Sequence, residues 1–174
     1  MKIQICPAAL MSMLCAAALA GCTEKAQVLD PALAAQRSKL VLAEEPSGAV
    51  SIAEARKDLE QPKEVVLIGR VGAGGATPWE QGKTAFLISD VGAAVDSHDH
   101  DSPGHDAENC PFCKRRKKAS MAMVQFLDKD GQVLTIDARE LLGVKENQVV
   151  VVRGLARVNE LDMLVVSADG IHLR

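Results

Sequence analysis

Between Glu64 and Leu173 the chain is a succession of short apolar, β-branched runs separated by turn residues, and this pattern rules out a helical bundle. Glu64 to Val71 ends in Gly72-Ala73-Gly74-Gly75, and Thr84 to Ser89 follows. Ala122 to Leu127 faces Val133 to Asp137 across Asp128-Lys129-Asp130-Gly131-Gln132, a hairpin signal. Ala138 to Leu142 predicts a helical turn, with Asp137 as cap and Gly143 as stop. Gln148 to Val158 is a long strand, Leu161 to Ser167 the next, and Ile171 to Leu173 closes the chain. A short helix should precede them, since Ser51-Ile52-Ala53-Glu54 is a capping box and Pro62 stops the pattern.

The order of strand, strand, strand, short helix, strand, strand resembles the OB-fold, a five-stranded Greek-key barrel. The resemblance covers Ser51 to Arg174. It rests on the helix leading into Val65-Val66-Leu67-Ile68-Gly69-Arg70-Val71, on Asp-Ala-Arg-Glu-Leu-Leu-Gly at 137 to 143, and on Val149-Val150-Val151-Val152-Arg153-Gly154. It implies a mainly β fold of the nucleic-acid-binding-like kind found among bacterial envelope lipoproteins, with a short helix leading in and another between strands 3 and 4.

Strands 2 and 3 are separated by about thirty residues where compact domains commonly use two to six. This insertion, residues 92–120, concentrates the chemistry. It holds His98, His100, His105, Cys110 and Cys113, whereas the one other histidine is His172 and the other cysteines stop at Cys22. Two thiolates and two imidazoles form the usual tetrahedral zinc set, so five candidates compete for four places. Pro111 fixes the backbone after Cys110, and the basic residues Lys114, Arg115, Arg116, Lys117 and Lys118 would lower the thiol pKa values. Closing such a loop costs about 2 to 3 kcal/mol, against roughly 10 to 16 kcal/mol of apparent binding energy for structural zinc. A filled shell would make the site structural; another transition metal such as copper would accept the same ligands. The alternative for Cys110 and Cys113 is a disulfide or redox pair.

The first 21 residues predict an export signal: Lys2, an apolar run from Ile3 to Ala20, and Leu19-Ala20-Gly21 before Cys22. Leu-Ala-Gly-Cys resembles a bacterial lipobox. The resemblance implies cleavage before Cys22, lipid on its thiol, and anchorage in the cell envelope, with Thr23 favouring the outer membrane. Residues 22–50 then read as a lipidated N-terminus and a flexible or partly helical tether, with Asp30-Pro31 starting a helix.

Loss of the signal removes Lys2 and leaves 19 basic against 23 acidic residues, a charge of −4 that suits nucleic acid poorly. Aromatic stacking platforms are scarce as well: Phe86 and Phe126 alternate like core residues, leaving Trp79 and Phe112 as candidates for exposure. The basic run could still meet phosphates or anionic lipid. The other function classes in view are an OB module for single-stranded nucleic acid or oligosaccharide and a thiol-disulfide exchanger using Cys110 and Cys113. Against catalysis, no His-Glu-x-x-His motif occurs, no phosphate-binding glycine motif occurs, and no helix pattern follows Gly72 to Gly75. The expectation is a membrane-anchored, metal-holding binding protein whose partner is an envelope protein or ligand.

Overall fold

The computed structural model describes residues 30–57, 59–72, 75, 77–92, 115 and 118–174. Five strands, β1 (Lys63–Val71), β2 (Ala85–Ser89), β3 (Met121–Phe126), β4 (Val149–Val158) and β5 (Leu164–Leu173), form a closed barrel in the order β1-β2-β3-β5-β4. All pairs are antiparallel except β3 with β5, which run parallel from Ala122↔Leu164 to Phe126↔Ala168. This is the connectivity of an OB-like barrel. The helices are short: α1 (Pro31–Leu40), α2 (Ile52–Lys57) and α3 (Ala138–Leu142), the last between strands 3 and 4 as expected.

Alternation along the strands fills the barrel. Leu67, Val71, Phe86, Ile88, Ala122, Val124, Phe126, Val150, Val152, Leu164 and Val166 point inward and are fully buried, while Ile52 of α2 and Leu141 and Leu142 of α3 join the same core. Each large side chain of this set contributes about 1.5 to 3 kcal/mol by leaving water. Asp137 caps α3 by accepting from the Arg139 N–H, and Gly143 ends it in the left-handed region at φ 74°. Strand β5 carries one extra residue, Asp169, opposite the step from Arg153 to Gly154 in β4, and only glycine fits at 154 because a Cβ there would collide with the Ser167 carbonyl oxygen.

Parts of β1 and β5 extend beyond the barrel ladders, and residues 41–50 pair with both. Strand β1 meets β2 only at Arg70 and Val71, so its earlier residues have a free edge. Val50 fills part of it, donating to the Val66 carbonyl at 2.9 Å and accepting from the Ile68 N–H at 3.0 Å. Strand β5 runs past the end of β3; there Val41 bridges Ile171, and the Leu42 N–H donates to the Ile171 carbonyl at 2.7 Å. His172 Nδ1 lies 3.1 Å from the Leu42 carbonyl, and Arg174 pairs with Glu45, holding that carboxyl below its usual range. Ahead of this strap, Asp30 caps α1 through the Ala32 N–H, Leu33 and Leu40 pack on the core, and the Arg37 guanidinium sits over Gly143 at the end of α3. The stretch read from sequence as a flexible or partly helical tether thus lies along the barrel from residue 30 onward. Residues 1–29, with the expected signal and Cys22, lie outside the described residues.

Two strand assignments differ from the pattern. Val133 to Asp137 is not the second arm of a hairpin: a lone bridge joins Leu127 to Val133, after which the chain crosses to β2. There the Thr84 N–H donates to the Leu134 carbonyl and the Thr84 hydroxyl to the Ile136 carbonyl. Half-buried Leu134 and Ile136 cover the core as a loop. At the C-terminus, Ser167 to Gly170 is not a break. Leu164 to Leu173 is one strand that absorbs the register shift opposite Gly154.

Candidate functional site

The insertion that holds three histidines and the Cys-x-x-Cys pair springs from paired strand ends. Ser89, last in β2, is the register partner of Met121, first in β3, and one residue further the Asp90 N–H donates to the Ser120 carbonyl at 2.9 Å. Asp90 is only 8% exposed. Its carboxylate accepts from the backbone N–H of Ile52 at 2.5 Å and of Ala53 at 3.1 Å, while the Ser51 hydroxyl accepts from Glu54 at 3.1 Å. The expected capping box is therefore shared: Ser51 supplies its half, and Asp90, 38 residues away along the chain, satisfies the first two donors of α2. Since Ile52 is fully buried, the foot of the insertion is locked to the core. At its other end, α2 is tied to the β4–β5 turn by Arg56, which pairs with Asp162 at 2.7 Å.

Asp90 escaped sequence reading because one acid after an apolar run has no signature of its own. The expected ligands His98, His100, His105, Cys110 and Cys113 lie outside the described residues, as do Phe112, Lys114, Arg116 and Lys117. Of the basic run, Arg115 is exposed and Lys118 half-buried. Among the described residues no group of three or more His, Cys, Asp or Glu could hold a metal ion, and no helix is long and apolar enough to cross a membrane.

Among the described residues, shallow clefts lie on the barrel surface. One, of about 520 Å³, lies between α1 and α3 and is lined by Asp30, Gln36, Thr135, Asp137 and Glu140. Another, of about 900 Å³, runs over β1, β4 and β5 beside the Arg153–Asp169 ion pair, with Val50, Val66, Leu155 and Ser167 in its lining. Trp79 is not the open stacking platform that its position suggested. It is half-buried, its ring centroid is 5.9 Å from that of Phe86, and the Arg139 guanidinium lies 5.5 Å from the ring centre. Phe86 and Phe126 are fully buried, as their alternation predicts. Arg139 also pairs with Asp137; that hydrogen bond is the largest influence on Asp137 and lowers its pKa to about 2.

No family model matches the chain, and no curated protein is significantly similar to it.

Proposed function

We propose that this chain is a lipid-anchored, non-catalytic binding protein of the bacterial cell envelope, whose OB-like barrel carries a zinc-type metal site in its 92–120 insertion. Cys110 and Cys113 supply two ligands, and two of His105, His98 and His100 complete a structural, closed shell. The observation that carries this reading is the placing of three histidines and a Cys-x-x-Cys pair within sixteen residues of a single connection. That connection also begins and ends on neighbouring strands, joined at Ser89↔Met121 and Asp90–Ser120. Ends already held together reduce the entropy that the metal has to overcome when it draws the ligands inward.

Cys22 holds the lipid, and Thr23 favours the outer membrane over the inner one. The barrel faces the periplasm or the cell surface, where it meets an envelope protein or ligand. A mildly acidic chain whose tryptophan is packed against Phe86 gives single-stranded nucleic acid little to stack on.

Cobalt(II) titration of the purified protein tests the metal site, because a tetrahedral cobalt–thiolate centre shows visible d–d bands and a near-ultraviolet sulfur charge-transfer band. Wild type develops both bands, and Cys110→Ser with Cys113→Ser loses them. A fully reduced wild-type protein that shows neither band refutes the site.

A further inference from the structure

Resting on the reading of Cys22 as the lipid-bearing residue, we propose that residues 30–50 belong to the barrel domain and not to its tether, so that the barrel is held within about 29 Å of the membrane that anchors it. Sequence alone would allow 28 residues of tether, from Thr23 to Val50, enough to reach roughly 100 Å if extended. The structure takes most of that length away. Asp30 caps α1, Leu33 and Leu40 of α1 pack on the core, and Arg37 covers the end of α3. Beyond α1, Val41 and Leu42 pair with Ile171, Glu45 with Arg174, and Val50 with Val66 and Ile68.

Peeling this strap away to lengthen the tether would uncover Leu33, Leu40, Val41 and Val50 and would leave the Val66 and Ile171 carbonyls and the Ile68 N–H without these partners. The body of the domain therefore begins at Asp30, eight peptide units from Cys22. Whatever conformation those units take, they span at most about 29 Å, which is near the diameter of a small domain. Proximity comes from the short tether. A partner exposed on the same surface is met at high effective concentration.

Neutron reflectometry on the full-length lipidated protein in a supported bilayer tests this. The comparison is a variant with thirty Gly/Ser residues inserted after Glu24, and mass spectrometry checks the lipid on both. The water gap between headgroups and protein layer should not exceed about 29 Å in wild type, and should widen roughly twofold in the variant. A wild-type gap beyond that limit with lipid in place would mean that the strap has left the barrel, which overturns the inference. An unchanged gap in the variant would also overturn it, because the barrel would then be adhering by its own surface. A protein without lipid on Cys22 would instead overturn the reading on which the inference rests.

Discussion

The barrel and the insertion between β2 and β3 divide the residue types of this chain between them. The barrel interior is Val, Leu, Ile, Phe and Ala, with no cysteine, and its one histidine, His172, lies on β5 beside the strap. The insertion concentrates the other three histidines and both cysteines found beyond position 22, with proline, glycine and aspartate between them. One region is specified by burial and the other by chemistry. A metal site on such a connection needs nothing from the core beyond a firm foot, and the Asp90 carboxylate clamped on α2 provides it.

If this division is sound, disturbing the barrel should cost most. Phe86→Ala removes a fully buried ring beside Trp79 and should destabilise the fold by about 3 to 5 kcal/mol. Chemical denaturation measures this, and a loss below 1 kcal/mol would mean that the core is not packed around Phe86. Asp90→Ala lies at the junction of the two regions. It leaves the buried Ile52 N–H without its acceptor and should cost about 1 to 3 kcal/mol by the same assay. If Asp90→Ala has no effect, the foot is not anchored as described.

A smaller effect comes from pH. The pKa of Asp137 is lowered to about 2 from 3.8, chiefly by the hydrogen bond from Arg139, so its contribution is present above pH 4 and is lost as pH falls through 2. Solvent around the half-exposed Arg139 limits that contribution to about 1 kcal/mol. Acid titration of stability should therefore be shallower in Asp137→Asn than in wild type; identical slopes would contradict the assignment. The smallest expected effect on the barrel is that of Cys110→Ser with Cys113→Ser, which should release metal and raise protease sensitivity between residues 92 and 120. The unfolding free energy of the barrel should stay within about 0.5 kcal/mol of wild type. Global unfolding of this variant would erase the distinction between the two regions.

The same division explains what could be read in advance. Alternating apolar residues marked β1 and β4 to within a residue at each end, and Asp137 and Gly143 marked α3, because burial and backbone conformation act locally. Val133 to Asp137 carries the same apolar alternation yet serves as a loop over the core; periodicity reports burial but not which backbone is the partner. The strap was illegible for the opposite reason. Asp30-Pro31 marked the start of α1, but beyond it Val41 and Val50 each bridge a strand alone, so residues 41–50 carry no repeating pattern to be detected. For the insertion, spacing named the candidate ligands. The clamp at its foot joins residues 38 apart in sequence, a separation that no local motif encodes.

Metal content and free thiols, determined together on full-length protein purified without chelator, bear most directly on the insertion as a metal site. About one zinc per chain is expected, with two thiols, those of Cys110 and Cys113, reacting only after chelation. Protein with no metal and no titratable thiol, before or after chelation, would make Cys110 and Cys113 a disulfide and leave the three histidines without the role assigned to them.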